Sequence, residues 1–299
     1  MNAYLEQMRV TSYAKGLVIL LPLFFAGSLF DTDLLFKVLL GVASFCLLSS
    51  AIYTINDMKD VSRDRNHATK SNRPLASGRI SPAGAKALII ILLTASLCLN
   101  YIASSESGNY YSWIIMGAYI TLNIGYSCFG WKNIPVIDIG IIASGFLLRL
   151  LYGSALTGIE ISSWLALAVI SISFYFSLVK RREEKVSENI DTRDSLKQYD
   201  ENFLNRNMYM CLALSIVFYA LWSVDATTIA RLGNNMLVWT VPLIMIICMR
   251  YNLIAEMPAD EKTEPLDVLL KDKLLICTVL VYLAILIAAI YGDVILDRF

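Results

Sequence analysis

The 299-residue chain is 57% hydrophobic and 17% charged, with a mean hydropathy of +0.59, far from the roughly 45–50% apolar and 25% charged make-up of soluble domains. Its 25 acidic and 25 basic residues balance, so no net charge draws it to nucleic acid, and none is expected as a partner. The charges gather in a few blocks between long uncharged runs, which marks a membrane protein and excludes a merely greasy soluble one.

A hydrocarbon core about 30 Å thick needs about 20 apolar residues in a helix. Nine segments approach this: 16–31, 35–56, 84–104, 110–129, 134–156, 161–179, 207–224, 235–250 and 274–292. The expected fold is all-α, a polytopic membrane protein with nine transmembrane helices in one domain, residues 1–299. Lys15 before the apolar stretch 16–30, with Ala26-Gly27-Ser28, also suits a cleaved signal peptide. The many spans that follow favour an uncleaved first helix.

With the N-terminus in the cytoplasm, the segments after spans two, four, six and eight hold most of the 25 Lys and Arg residues, as the positive-inside rule requires. The opposite loops are short and nearly uncharged. This reading places a multi-pass protein in the cell inner membrane with its polar segments on the cytoplasmic side. The six cysteines stand singly within or beside apolar runs, without metal-ligand spacing, and are read as small core residues.

At the end of span two stands Asn56-Asp57-Met58-Lys59-Asp60-Val61-Ser62-Arg63-Asp64. Spacings of three and seven from Asp57 line up three carboxylates along one helical stripe. Like charges so placed call for a counter-charge, and hard oxygen donors suit Mg2+ held by carboxylates and substrate phosphates. The blander account is a solvated helix end whose acids pair with Lys59, Arg63 and Arg65. His67, Lys70, Arg73, Pro74, Gly78 and Arg79 follow directly, and bases at that place can grip the anionic end of a substrate.

Within span five, Asp138 and Arg149 are about three turns apart and share a face, with Gly145 between them. An ionisable residue inside a membrane is costly, so each reads as functional or as part of a structural ion pair. Gly145 allows close approach of a lipid chain or of a neighbouring helix. Arg9 with Lys15, and Lys180-Arg181-Arg182 after span six, add bases on the same side. Either set alone is ordinary membrane anchoring.

These residues resemble the UbiA superfamily of intramembrane prenyltransferases, whose nine-helix members carry Asn-Asp-x-x-Asp-x-x-x-Asp after the second helix, here Asn56, Asp57, Asp60 and Asp64. A second aspartate-rich motif is usual near helix six in members that use prenyl diphosphates. Ser177-Leu178-Val179-Lys180-Arg181-Arg182-Glu183-Glu184 stands there instead. Over nearly its whole length the chain looks like the decaprenyl-phosphate phosphoribosyltransferase branch, through Arg9, Lys15, His67, Lys70, Arg73, Tyr126-Ser127, Lys132, Asp138, Phe146, Arg149, Gly153, Lys180-Arg181-Arg182 and Glu264-Pro265. Tyr13, Gly16 and Ser71-Asn72 depart from that pattern.

The resemblance implies transfer of 5-phosphoribose from phosphoribosyl pyrophosphate to a polyprenyl phosphate lipid. It implies Asp57, Asp60 and Asp64 as Mg2+ ligands, Asn56 as their orienting neighbour, and Lys15, His67, Lys70, Arg73, Tyr126, Lys132, Asp138, Arg149, Lys180 and Arg181 as substrate-binding residues. Two rivals remain open: a prenyltransferase acting on an aromatic acceptor, and a transporter with a charged vestibule. The oligomeric state is open too, a homo-oligomer included.

Overall fold

The computed structural model describes residues 2–66, 70–105, 110–186, 194–255 and 272–296. Hydrocarbon offers the backbone no hydrogen-bonding partner, so a spanning chain must satisfy its amides within helices. Among the described residues there is no strand. In chain order the α-helices are α1 (Ala3–Gln7), α2 (Leu21–Phe25), α3 (Thr32–Arg65), α4 (Pro82–Ser104), α5 (Tyr111–Cys128), α6 (Ile137–Thr157), α7 (Ser163–Val186), α8 (Asp194–Gln198), α9 (Glu201–Ser223), α10 (Ala226–Leu232), α11 (Val241–Ala255) and α12 (Lys273–Leu296). The 3-10 segments Val10–Leu20 and Met236–Thr240 lead directly into α2 and α11.

Every expected span overlaps a helix, though not every one is long and apolar enough by itself to count as a crossing. Among the described residues seven helices are long and apolar enough to cross a membrane: α3, α4, α6, α7, α9, α12 and the Met236–Ile254 stretch. Val10–Phe25 is a shorter apolar run, wound mostly as the tighter 3-10 form. Helix α5 has 18 residues and dilutes its apolar character with Asn123, Ser112 and several tyrosines.

Local chemistry sets the helix ends. Asp31 caps α3 by accepting from the Asp33 and Leu34 amides at 3.1 Å each, and Ser81 caps α4 with Pro82 in its first turn. Nothing interrupts α3 before Asn66, so its 34 residues extend about 51 Å at 1.5 Å per residue. This exceeds the roughly 30 Å of hydrocarbon, and the Asp57–Asp64 stretch occupies the surplus. The acidic motif therefore belongs to the helix itself and not to a loop.

Helix α3 packs along α4 and α7 along α9, while α6 touches α3, α5, α7 and the Val10–Leu20 segment. Helix α6 thus joins two cores, giving Tyr152 and Leu156 to one with Ile19, Phe45 and Tyr119, and Ile139 to another with Tyr175, Leu204 and Met208. Lipid tails are as apolar as leucine, so close packing must supply much of the cohesion. The tightest approach lies at Gly153, where a Cβ would stand 2.0 Å from the Ile19 carbonyl oxygen. Gly145, singled out from sequence, would meet only Arg149 Nη1 at 3.4 Å and Tyr119 at 3.6 Å.

A backbone oxygen cannot swing away as a side chain can. Gly153→Ala is therefore expected to cost about 1–3 kcal/mol through overpacking, read as a lower thermal midpoint in detergent, whereas Gly140→Ala, with nothing within 4 Å of its Cβ, should leave the midpoint in place. Equal midpoints for the two variants would refute this packing.

Candidate active site

The three carboxylates of α3 stand at the end of its apolar stretch, and each meets a base. Asp57 is 2% exposed. Its Oδ1 accepts from Arg9 Nη2 at 2.6 Å and from Arg73 Nη1 at 3.0 Å, and its Oδ2 accepts from Gln7 Nε2 at 2.8 Å. Asp64, also buried, shares the same Arg73 Nη1 at 2.8 Å. Asp60 accepts from Lys132 Nζ. Carboxylates held in low dielectric persist as charges only when so paired.

Two segments deliver these partners. Arg9 adopts left-handed backbone geometry with φ 53°, uncommon for a side-chain-bearing residue, and its guanidinium lies over the Tyr53 ring, 4.9 Å from the centroid. The Arg73 loop is held by Arg65 Nε donating to Ala76 O at 3.2 Å and by its buried Leu75 and Ile80. Arg79 then clasps Glu6 with bonds of 2.7 and 2.8 Å. The clasp ties α1 to the loop, so Arg9 and Arg73 reach Asp57 from two mutually secured elements.

A second polar knot stands beside the first. Asp138 and Arg181 are both wholly buried, with Arg181 Nε 2.7 Å from Asp138 Oδ2. Arg181 also donates to Tyr126 Oη at 3.1 Å and pairs with Glu184. Tyr199 and Ser195 complete the surroundings of Asp138.

Arg149 sits apart. It donates to Gly145 O at 2.8 Å, Ser49 Oγ at 3.1 Å and Tyr119 Oη at 3.3 Å, and Phe45, Tyr119 and Phe146 surround its guanidinium within 5.8 Å. Among the described residues no carboxylate pairs with it. Ser49 precedes Asp57 by eight residues, placing Arg149 about 12 Å deeper along α3. A shared face of α6 thus does not make Asp138 and Arg149 partners; each turns to another helix.

The structure brings Asp57, Asp64 and Arg73 together, sets Lys132 on Asp60, and groups Tyr126, Asp138 and Arg181. Lys15 and Lys180 are exposed and Lys70 half-buried. His67, Glu264 and Pro265 lie outside the described residues. Gln7, Glu6, Ser195 and Tyr199 carry no sequence signal that would have singled them out, because their significance comes only from what they touch.

Among the described residues no group of three His, Cys, Asp or Glu side chains is gathered for a metal. The donor chemistry nevertheless fits a hard divalent cation. Two carboxylates already share one positive group in Arg73, and the neighbouring Asn56 Oδ1 and Gln7 Oε1 are buried oxygens without a hydrogen-bond partner.

A sequence model of the UbiA prenyltransferase family matches residues 17–264. The decaprenyl-phosphate phosphoribosyltransferase of Corynebacterium glutamicum is 31% identical, covering 97% of this chain and 87% of that protein. Its counterpart from Mycolicibacterium smegmatis is 30% identical over 97% of this chain and 93% of its own. A 4-hydroxybenzoate octaprenyltransferase from Haemophilus ducreyi is 25% identical over 64% and 69%. In fold the chain is similar to a UbiA homolog from Archaeoglobus fulgidus bound to GPP and Mg2+, with a TM-score of 0.67 at 21% identity, over 96% of this chain and 99% of that one.

The Glu6–Arg79 clasp has a pH signature. Hydrogen bonds from Arg79 hold the Glu6 carboxyl below the usual glutamate value, so its contribution is complete above the unfolded value of about 4.3 and is lost as pH falls through the folded one. Limited proteolysis of residues 2–9 should be slow at pH 7 and quicken only below the ordinary glutamate range, while Glu6→Gln should be cut readily at both pH values. Equal protection of the variant at pH 7 would show that the clasp does not dock α1.

Proposed function

Since the chain belongs to the UbiA prenyltransferase family and is a transferase built into the membrane, we propose that it moves 5-phosphoribose from phosphoribosyl pyrophosphate to a polyprenyl phosphate at the cytoplasmic membrane face. The observation that carries this choice within the family is the end of α7. Where a second acidic motif would serve a prenyl diphosphate, Lys180-Arg181-Arg182 stands, with Arg181 buried against Asp138. The 30–31% identity to two decaprenyl-phosphate phosphoribosyltransferases supports the same reading.

In this reaction an anionic oxygen of the lipid phosphate attacks the anomeric carbon of the ribose. The bond from that carbon to the pyrophosphate oxygen breaks, and pyrophosphate leaves with the electron pair. The attacking oxygen is already ionised, so no general base is needed. Mg2+, held by Asp57, Asp60 and Asp64 with Asn56 beside them, would neutralise charge on the leaving group. Arg9, Arg73 and Lys132, already poised on these carboxylates, are placed to bind and orient donor phosphates. Lys15, His67, Lys70 and Lys180 are further candidates for the same work. Arg149 lies deeper among aromatic rings, where a phosphate carried in on a lipid would meet it.

Asp57→Asn and Asp60→Asn keep side-chain volume while removing a charge. Each is expected to lower Mg2+-dependent transfer of labelled phosphoribose into lipid on the order of 100-fold or more, with an unchanged elution profile and helical content. Full transfer by either purified variant would defeat the metal assignment.

A further inference from the structure

The α5–α6 connection carries Lys132 and contains a residue under backbone strain. Val136 has φ 69° and ψ −41°, a genuine outlier for a β-branched side chain. Such geometry persists only where its surroundings over-determine it. The surroundings come from α8 and the residue after it, in the polar stretch between α7 and α9.

Tyr199 Oη accepts the Val136 N–H at 2.6 Å and itself donates to Asp138 Oδ1 at 2.5 Å. Ser195, wholly buried, donates its hydroxyl to the Lys132 carbonyl at 3.0 Å. Asp138 is anchored in turn by Arg181. The connection is therefore fastened at Lys132, at Val136 and at Asp138, each time by a residue of the 195–199 segment or by a group bonded to it. Burial and the bond to Asp138 push the Tyr199 phenol above its ordinary value, so it remains the neutral donor that this arrangement requires.

We propose that Tyr199 is a positioning residue: through the Val136 amide and the Asp138 carboxylate it keeps the α5–α6 connection in the strained form that sets Lys132 on Asp60. Removing the phenolic oxygen leaves the Val136 N–H without its acceptor and takes away one of the donors to Asp138. The connection then relaxes toward negative φ and withdraws the Lys132 ammonium. Only the assignment of Lys132 to donor binding rests on the phosphoribosyl-transfer reading. The positioning itself does not.

Two measurements keep these apart. In substrate-free purified protein, acetylation of Lys132 by acetic anhydride, followed by peptide mass spectrometry, should be several-fold faster in Tyr199→Phe and in Ser195→Ala than in the parent. Lys132 is 8% exposed at rest. Adding Val136→Gly to Tyr199→Phe should slow the labelling again, because glycine adopts positive φ without penalty. Parental labelling rates in both Tyr199→Phe and Ser195→Ala would overturn the proposal whatever the reaction is.

In the transfer assay Tyr199→Phe should raise the apparent KM for phosphoribosyl pyrophosphate several-fold and should add nothing in a Lys132→Met background. An undiminished Tyr199→Phe effect in that background would show that Tyr199 acts elsewhere and would overturn the proposal. Faster labelling combined with full turnover by Lys132→Met would uphold the positioning and remove Lys132 from the reaction.

Discussion

Three carboxylates along one stripe of a helix that leaves the membrane cannot remain charged without cations beside them. Asp57, Asp60 and Asp64 meet that constraint through Arg9, Arg73 and Lys132, and much of the surrounding architecture delivers those three bases. The left-handed turn at Arg9, the Glu6–Arg79 clasp and the strained connection before α6 all serve it. Breaking a buried pair costs several kcal/mol because one charge is left stranded. The site is thus stable as found, yet ready to exchange partners.

That exchange fits a reaction between polyanions. In the proposed reaction a phosphorylated donor would compete for the bases, and a divalent cation for the carboxylates. If only one arrives, a charge is left without its partner in low dielectric. If both arrive, every charge is again paired. Under that proposal the arrangement would favour joint binding of metal and donor, which would also keep the leaving group neutralised at the moment of transfer.

Hydropathy located the helices well, because a membrane interior demands long apolar runs and this chain has little else. It ended span two at residue 56, where charges begin, and α3 continues beyond that apolar run to Arg65, since nothing in Met58–Arg65 breaks a helix. It also missed that the first apolar helical run starts at Val10 in 3-10 form, since a hydropathy window reports apolarity and not helical pitch. Periodicity put Asp138 and Arg149 on one face of α6 but could not say what faces them. Asp138 meets Arg181 of α7, and Arg149 meets Ser49 of α3 and Tyr119 of α5. Likewise Gly153 and not Gly145 marks the tight crossing, a fact of tertiary packing that no local pattern encodes. The acidic motif was legible because its spacing is helical and its charges are out of place. Tyr199 and Ser195 were not, because a tyrosine and a serine in a polar stretch acquire meaning only through the strained backbone they hold.

The central claim is that this chain transfers phosphoribose and not an isoprenoid. Purified protein with Mg2+ can be given labelled phosphoribosyl pyrophosphate with a polyprenyl phosphate in one mixture, and a labelled prenyl diphosphate with 4-hydroxybenzoate in another. Label entering lipid in the first mixture, with no prenylated aromatic product in the second, is the predicted result. Prenylated product in the second mixture and none in the first would contradict the account.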